Sequence, residues 1–287
     1  MSLLGELVLR GLWESKRRLV RPRVPERYQG GHSSYVRWQY STSAQLFASY
    51  PNWDPKARTI LELGCGTGGR TAWLATSGAT RVVGIDINAE EIATAREQCS
   101  MLFPQTKGIL EFFTSKEDEL LGIGQFDIVV LVDTMEHVVS PPSMMKLAHR
   151  YLAPGGRFYF SSIGWYHHAG SHTEILPFAN VFFSDETLIN VIRWNISRPG
   201  YEPTRFDSNP PVKRWEGIYN LRDRPGEHLN KITIREIKRL LRYSVFRENH
   251  LEIIGFKQFP LSWVNPLRHV PLLQELFHSY VVAECRK

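Results

Sequence analysis

The segment Leu61-Glu62-Leu63-Gly64-Cys65-Gly66-Thr67-Gly68-Gly69 decides the fold of this 287-residue chain. Its first residues continue a short β-rich run that begins at Thr59, and its glycines lead into a helical pattern. Glycines at such a point allow a tight turn and let a ligand approach the backbone closely. The segment therefore predicts a strand–turn–helix unit whose turn binds a ligand.

Two carboxylates flank this turn. Glu62 lies two residues before the first glycine, and Asp86 closes the next predicted strand. An acid at that strand end can accept hydrogen bonds from both ribose hydroxyls of a nucleoside. The spacing Gly64-x-Gly66-x-x-Gly69 also satisfies the dinucleotide fingerprint, but Glu62 would repel a pyrophosphate. We therefore interpret the turn as a site for a positively charged nucleoside.

The rest of the chain alternates between strand and helix patterns. The continuous apolar run 128–132 is typical of a strand buried on both faces. Such alternation predicts an α/β fold with a largely parallel sheet. Strands are predicted at 59–63, 81–85, 109–113, 126–132, 156–160, 251–259 and 279–285, and helices at 33–50, 69–77, 89–102, 142–152 and 233–243, the last with a capping box from Thr233 and Glu236.

Five motifs together carry a resemblance to a known family. They are Glu62-Leu63-Gly64-Cys65-Gly66-Thr67-Gly68, Asp86, Phe126-Asp127-Ile128-Val129, Glu136-His137-Val138 and Leu152-Ala153-Pro154-Gly155-Gly156. This set resembles the class I S-adenosylmethionine (SAM)-dependent methyltransferases, strongly over about 58–162 and more loosely over 251–285. The resemblance implies a methyltransferase with SAM as cofactor. It also implies a Rossmann-like, seven-stranded, mostly parallel sheet in the order 3-2-1-4-5-7-6 with the last strand antiparallel.

The resemblance also implies how the cofactor would be held. Gly64 and Gly66 would flank its methionyl part, and Glu62 would face its amino group. Asp86 would face the ribose diol, and Ile87 one face of the adenine.

Further positions complete the implied cofactor site. Cys65 and Asp133 belong to it, and Tyr40 would help to cover the cofactor. Where many family members place an Asp for the adenine amino group, this chain reads Thr114-Ser115-Lys116. Ser115 or a backbone group is expected to serve there instead.

Candidate bases should project from the carboxyl ends of the parallel strands, where open α/β sheets bind ligands. Methyl transfer from a sulfonium is an in-line displacement that can require removal of a proton from the nucleophile. Histidine is the default base at neutral pH. His137 follows the fourth strand, and His168 and His172 lie in the loop after the fifth. These three are the predicted catalytic residues, and which one acts as the base stays open.

A metal-assisted mechanism is an alternative. Asp133-x-x-Glu136-His137 with the distant His172 resembles the E-x-x-E-H plus His arrangement of metal-dependent methyltransferases acting on quinone precursors or RNA 3′ ends. Two carboxylates and two imidazoles could bind a divalent ion that lowers the pKa of a hydroxyl. The first acid here is Asp, whose reach is shorter, so the predicted site contains SAM and no metal ligand.

The regular alternation of strands and helices fails between about 164 and 230. This segment contains six prolines, and ten aromatic residues lie between Trp165 and Tyr219. We interpret 164–249 as a cap over the strand ends that builds an apolar pocket for an aromatic or isoprenoid substrate.

Residues 1–50 would form an N-terminal helical arm or lid, and 51–163 with 250–287 the cofactor-binding core. Asn209-Pro210-Pro211 resembles the N/D-P-P-Y motif of amine methyltransferases, but it does not follow strand four and is interpreted as a loop.

Composition and charge limit the partners. Hydrophobic residues make up 43% of the chain and charged residues 22%, which is typical of a globular protein. No apolar run approaches the roughly 20 residues of a membrane-spanning helix. Three cysteines without CxxC pairs favour a reducing compartment. With no signal-peptide pattern at the start, the chain is expected to be cytoplasmic.

The positive charge is concentrated in the arm. Residues 1–30 carry seven basic and three acidic side chains, a net charge of +4 out of +6 for the whole chain. This distribution argues against a nucleic-acid-binding face on the body. Leu3, Leu4, Leu7, Val8 and Leu12 recur at helical spacing. The arm is expected to pack on the body or associate with a second copy, and contact with an anionic membrane surface stays open.

The sequence thus predicts methyl transfer from SAM to oxygen or carbon of an apolar or aromatic small molecule. A nucleic-acid or protein methyltransferase guided by the basic arm is an alternative. A non-catalytic binding protein and an NAD-dependent oxidoreductase are weaker ones, because Glu62, the glycines and Asp86 together favour SAM.

Overall fold

The computed structural model describes residues 2–19, 31–115, 122–172, 176–199, 229–258 and 260–287. Within them, one seven-stranded sheet has the order β3-β2-β1-β4-β5-β7-β6. The sheet is parallel except for β7, which pairs antiparallel with both β5 and β6. The predicted strand order is confirmed. The strands are β1 (Thr59–Leu63), β2 (Arg81–Asp86), β3 (Leu110–Thr114), β4 (Phe126–Leu131), β5 (Leu152–Ser162), β6 (Glu248–Ile254) and β7 (Tyr280–Arg286).

Helices precede, connect and follow these strands. Those between strands β1 and β5 match the predicted ones to within one or two residues. They are α1 (Ser2–Leu19), α2 (Gly31–Phe47), α3 (Gly69–Thr76), α4 (Ala89–Leu102), α5 (Pro141–Tyr151), α6 (Ala179–Phe182), α7 (Asp185–Ile196) and α8 (Ile234–Arg242).

The core lies on both faces of the sheet. On one face Leu61, Val129 and Phe158 pack with Ile237 of α8. On the other face Ile60, Ile128 and Tyr159 pack with Phe47 of α2. Alternate residues of each strand thus serve opposite layers, which explains why β4 is apolar from Ile128 to Leu131. Burial of each large apolar side chain contributes about 1.5–3 kcal/mol.

Three elements have bounds that differ by three or more residues from the sequence predictions. Strand β5 begins at Leu152, four residues before the predicted start at 156. Helix α2 ends at Phe47, three residues before the expected Tyr50. The sequence predicts strand β6 at 251–259, but the strand runs from Glu248 to Ile254. Its pairing with β7 extends from Glu248 opposite Arg286 to Ile254 opposite Tyr280. The residues after it form a 3₁₀ segment at Leu261–His269 instead.

The described part of the segment where the regular alternation fails contains two helices, α6 and α7, for which the sequence analysis made no prediction. Helix α7 begins with Ser184, whose hydroxyl accepts a hydrogen bond from the Thr187 N–H, and has Asp185 and Glu186 in its first turn. The prolines at 177 and 199 flank this helix without interrupting it. The expected pocket residues Tyr201, Phe206, Trp215 and Tyr219, and the Asn209-Pro210-Pro211 loop, lie outside the described residues.

The N-terminal helix α1 packs on α7, but not through the apolar stripe seen in the sequence. Leu9 is fully buried against the cap, and the Trp13 indole N–H donates to Asn195 Oδ1 at 3.0 Å. The stripe of Leu3, Leu4, Leu7, Val8 and Leu12 is instead 48–72% exposed. Among the described residues, no helix combines the length and the apolar character needed to cross a membrane.

Candidate functional site

The glycine turn after β1 is held by strand β2. The N–H groups of Gly64 and Cys65 both donate to the Ile85 carbonyl, at 2.7 and 3.1 Å. Gly64 has φ +71°, and a Cβ there would lie 2.5 Å from Cγ2 of Thr134. Only glycine meets both requirements without displacing the chain.

Gly66 lies at the open side of the turn. Its φ is +51°, and a Cβ there would meet nothing closer than Glu91 Oε2 at 3.9 Å. The Gly66 N–H donates to Asp86 Oδ2, and the Asn88 N–H donates to Asp86 Oδ1, both at 2.9 Å. Two backbone donors thus orient the Asp86 carboxylate at the carboxyl end of β2, directly beside the glycine turn.

The positions predicted to hold a nucleoside lie at two neighbouring strand ends. Asp86 pairs in register with Thr114 at the end of β3, and the Ser115 N–H donates to the Asp86 carbonyl at 2.9 Å. Ser115 is exposed, and Ile87 is 45% exposed. A carboxylate, an apolar surface and a hydroxyl therefore occur side by side on one edge of the sheet.

Glu62 is the buried carboxyl group of the site. It is 2% exposed, and the Thr71 hydroxyl donates to its Oε2 at 2.7 Å. Burial raises the pKa of Glu62 to about 7, with the Thr71 hydrogen bond and Arg70 acting in the opposite direction. A cationic group beside Glu62 would therefore be strongly favoured.

An ion pair next to Glu62 was missed by the sequence reasoning. Nη2 of Arg70 lies 2.7 Å from Asp133 Oδ2, and the Arg70 side chain is only 12% exposed. Asp133 has φ +49°, and its Oδ1 accepts a hydrogen bond from the Ser161 hydroxyl at 3.1 Å. Asp133, predicted as a cofactor residue, is thus engaged by Arg70 at the end of β4.

Cys65 and Tyr40, both predicted as cofactor residues, differ in their surroundings. The Cys65 side chain is 3% exposed and packs beneath the turn, so only its backbone faces a ligand there. The Tyr40 hydroxyl lies 2.9 Å from Thr76 Oγ1, at the far end of α3 from the glycine turn. The residue of α2 that bonds to the turn is Gln39, whose Oε1 accepts from the Thr67 hydroxyl at 3.0 Å. Tyr40, one helical position on, points about 100° away.

Two of the three predicted catalytic histidines lie together. The rings of His137 and His172 are 5.1 Å apart at 72°. With Glu136 they place three potential ligand atoms within 4.8 Å of one another. His172 Nδ1 lies 3.1 Å from the Gly170 carbonyl. If this nitrogen carries the proton, the basic lone pair of His172 is on Nε2.

Glu136 is buried beneath these imidazoles. It is 5% exposed, and the Ser162 hydroxyl donates to its Oε2 at 2.8 Å. Burial, with a smaller contribution from the charge of Asp133, raises the pKa of Glu136 to about 8. A carboxyl group with this pKa is largely protonated at neutral pH and can then donate a hydrogen bond to a neighbouring group.

Asn230 holds the turn that presents Glu136 and His137. Its Nδ2 donates to the carbonyls of Met135 and Val138, both at 2.8 Å, and its N–H donates to the Glu136 carbonyl at 2.9 Å. Asn230 is 93 residues beyond His137 in the chain, and no local motif marks it. Sequence reasoning therefore missed this clamp.

His168 lies in a different group of rings. It contacts His167, with ring centres 3.9 Å apart, and Phe256 at 5.7 Å. Burial lowers the pKa of His168. The structure therefore brings His137 and His172 together and places His168 against His167 instead.

Comparison with known proteins places this geometry in a family. The family described as "Methyltransferase domain" matches residues 35–244 of the chain. The ubiquinone biosynthesis O-methyltransferases of Pseudomonas paraeruginosa and Methylococcus capsulatus are 33% and 32% identical over 109 residues. Each match covers 37% of this chain and 44% of the relative, so the chain matches less than half the length of these relatives.

A solved structure shares the fold over most of the chain. The S-adenosylmethionine-dependent methyltransferase from Mesorhizobium loti matches with a TM-score of 0.50 and 17% identity. The match covers 90% of this chain and 100% of that chain. At this identity the likeness extends to the fold alone.

Proposed function

The chain belongs to the class I SAM-dependent methyltransferases, and from that premise we propose that it methylates an oxygen or carbon of an apolar or aromatic small molecule. The observation that carries the proposal is the glycine turn between a buried carboxyl group, Glu62, and an oriented carboxylate, Asp86. One end of this arrangement suits an ammonium group and the other a ribose diol.

In this proposal each end of SAM meets a complementary group. Glu62 takes the amino group, and the Arg70 guanidinium beside it attracts the carboxylate of the same methionyl moiety. Asp86 accepts from the ribose hydroxyls, and Ile87 covers one face of the adenine. Ser115 lies next to Asp86 and is placed to bond the adenine edge.

The reaction is a displacement at the sulfonium methyl group. A bond forms between the acceptor atom and the methyl carbon, the methyl–sulfur bond breaks, and its electron pair stays on sulfur, leaving S-adenosylhomocysteine. An acceptor hydroxyl loses its proton to an imidazole of the His137–His172 pair. Glu136 beneath them can stabilise the resulting imidazolium, because a neighbouring cation favours its ionised form.

Two observations support an apolar or aromatic acceptor. Residues 165–219 contain ten aromatic side chains in the sequence, and Trp165 with Phe183 packs in the described part of the cap. The two relatives described above, which match over 109 residues of the chain, are named ubiquinone biosynthesis O-methyltransferases, and their name specifies O-methylation.

The test is transfer of a labelled methyl group from SAM to a panel of phenols, prenylated phenols and carboxylates, with RNA and peptides as competing substrates. The proposal expects product only from the small molecules. It also expects the variant Arg18→Gln/Arg21→Gln/Arg23→Gln, which keeps the packing of α1 on the cap, to leave methyl transfer intact, whereas binding of a macromolecular substrate by the basic arm would be weakened and would show strong salt dependence in wild type. An NAD-induced rise in melting temperature without one from SAM would contradict the proposal.

Metal-assisted O-methylation is the second candidate, favoured by the close approach of Glu136, His137 and His172. One carboxylate and two imidazoles could bind a divalent ion that lowers the pKa of an acceptor hydroxyl. Asp133, the fourth predicted ligand, is bonded to Arg70 and Ser161 instead. An unchanged rate after chelator treatment would exclude this candidate, and a rate restored by Mg²⁺ or Mn²⁺ would establish it.

A further inference from the structure

The outward face of α1 is apolar over its first three turns. Leu3, Leu4, Leu7, Val8 and Leu12 are 70%, 72%, 57%, 48% and 48% exposed. These five residues are called the leucine face below. Isolated exposed apolar side chains are common, but a contiguous set along one helix marks an interaction surface.

The helix is fixed on the body by its opposite side. Leu9 is fully buried, and Asn190 Nδ2 donates to Glu6 Oε1 at 2.7 Å. The Trp13 indole bonds to Asn195, and the Arg10 guanidinium lies 5.0 Å from the Trp194 ring. These contacts to α7 hold the leucine face outward, so burying it requires a partner.

The leucine face is cationic at one end and has no acidic neighbour on the same side of α1. Lys16, Arg17 and Arg18 occupy the last turn, and Arg18 is exposed. Both acids of the helix are engaged with the body: Glu6 with Asn190 and Arg10, and Glu14 with Arg198 at 3.4 Å.

This charge distribution decides between two partners. A symmetric contact between two copies would bury the leucines but would give the basic last turn no acid of α1 to pair with, because Glu6 and Glu14 are both engaged with the body. An anionic lipid surface supplies both an apolar layer for the leucines and negative charge for the cations. The arm continues with Arg21 and Arg23 in the sequence, which extends the basic segment.

A second apolar element lies beside the first turn of α1. A methyl group added at Gly5 would lie 4.0 Å from Phe183 Cδ1, so the end of α6 approaches this turn. Phe182, the residue before Phe183, is 76% exposed. An exposed aromatic residue close in the fold to a leucine-rich helix is typical of interfacial membrane anchors.

We propose that α1 docks the protein on an anionic membrane surface, with the leucine face inserted into the interfacial layer and the basic end contacting lipid phosphates. The inference concerns where the protein is held and does not depend on the proposed methyl transfer. Its test therefore needs no substrate.

The experiment is co-sedimentation of the full-length protein with vesicles of phosphatidylcholine alone or of phosphatidylcholine mixed with phosphatidylglycerol. The test variant is Leu4→Gln/Leu7→Gln, which keeps both net charge and helix propensity nearly constant. The charge variant is Arg18→Gln/Arg21→Gln/Arg23→Gln. The matched control is Met101→Gln/Tyr243→Gln, which removes exposed apolar side chains from α4 and from the residue that follows α8, 59% and 74% exposed.

Wild-type protein is expected to bind the mixed vesicles and to be released by high salt. The leucine variant should bind about tenfold more weakly or worse, the charge variant should lose its preference for anionic lipid, and the control should match wild type. Far-ultraviolet circular dichroism and melting temperature verify that each variant is folded.

Three results would overturn the proposal. Wild type that ignores anionic vesicles is the first, and a leucine variant that binds them as tightly as wild type is the second. The third is that light scattering finds wild type to be a dimer and the leucine variant a monomer, while the two proteins bind lipid equally. The leucine face would then be occupied by a second copy of the chain.

Discussion

At the scale of single residues, the two carboxyl groups beside the glycine turn differ in their surroundings. Asp86 accepts two backbone N–H bonds at the open end of β2. Glu62 is buried with a single hydroxyl donor. These environments suit different tasks. Asp86 is oriented to accept hydrogen bonds, whereas the buried Glu62 carboxylate would be stabilised by a cationic ligand.

The first prediction is that SAM affinity depends on the ionisation of Glu62. Its pKa is raised to about 7 by burial, so below that pH binding of the ammonium group must expel a proton. Affinity should therefore rise by about tenfold per pH unit up to about pH 7 and level off above it. Calorimetry across this range in two buffers of different ionisation enthalpy measures both the affinity and the released proton.

The variant Glu62→Gln is the control for this pH dependence. It should bind SAM more weakly at pH 8 and show no rise in affinity between pH 6 and 8, so a slope equal to that of wild type would assign the titration to another group.

A second prediction concerns the histidine pair. His172→Gln and His137→Gln should each lower kcat by about 100-fold, the magnitude typical of a lost general base, and leave the dissociation constant of SAM unchanged. The exposed His250 provides a matched His→Gln control that should retain full activity. Equal turnover for wild type and both site variants would remove this pair from the mechanism.

At the scale of elements, helix α8 begins at a complete capping box. The Thr233 hydroxyl accepts from the Glu236 N–H, and the Glu236 carboxylate accepts from the Thr233 N–H. The sequence prediction of this box is confirmed. Ile237 of the same helix packs in the main core. The capping box therefore stabilises a helix that covers one face of the sheet.

Thr233→Ala should accordingly lower the free energy of unfolding by about 1 kcal/mol. The residue lies outside the cofactor site, so SAM affinity should not change. Urea denaturation followed by circular dichroism gives the first quantity, and Thr233→Ser, which keeps the hydroxyl, should restore most of it. A loss in the alanine variant that serine does not restore would mean that the hydroxyl is not the stabilising group.

Another element-scale feature is the contact between the loop after β5 and the residues before β7. His167 and His278 are both buried, with ring centres 5.0 Å apart. Burial lowers the pKa of His167 to about 2 and that of His278 to about 4, and neighbouring imidazoles add to both shifts. Their contribution to stability is therefore complete above the unfolded-state pKa near 6.5 and is lost as the pH falls towards the folded-state values.

Acid sensitivity follows from these two histidines. Between pH 6.5 and 4.5 the melting temperature of wild type should fall relative to that of His167→Gln/His278→Gln, because the variant has no imidazole to protonate at these positions. The comparison between the two proteins matters, since Glu62 and Glu136 have raised pKa values and shift stability in the opposite direction over the same range. Parallel curves for the two proteins would contradict the assignment.

At the scale of the whole molecule, the sequence predicts what depends on local pattern. The glycine turn, the apolar run of β4 and the alternation of elements are short-range signals, and they led to the observed strand order through the family resemblance. The sequence also predicts that Glu136 and His137 lie close together, because the two residues are consecutive in the chain.

What the sequence did not predict depends on contacts between distant segments. Arg70 and Asp133 are 63 residues apart, and Asn230 clamps a turn almost a hundred residues earlier. The outward orientation of the leucine face depends on the packing of Leu9 and Trp13 against α7, a helix that the prolines around it obscured. Pairings of this kind have no periodicity that a single sequence would display.

Binding of SAM at the turn after β1 is the proposal on which the assigned roles of Glu62, Asp86 and the histidine pair all depend. Calorimetric titration with S-adenosylhomocysteine tests it most directly, with wild type compared to Asp86→Asn, which keeps an acceptor oxygen for the turn but removes the charge. We expect one binding site in wild type and at least about tenfold weaker binding in the variant, the cost of a lost charged hydrogen bond. The absence of heat and of any thermal shift with wild type, or equal affinity for the two proteins, would contradict the account.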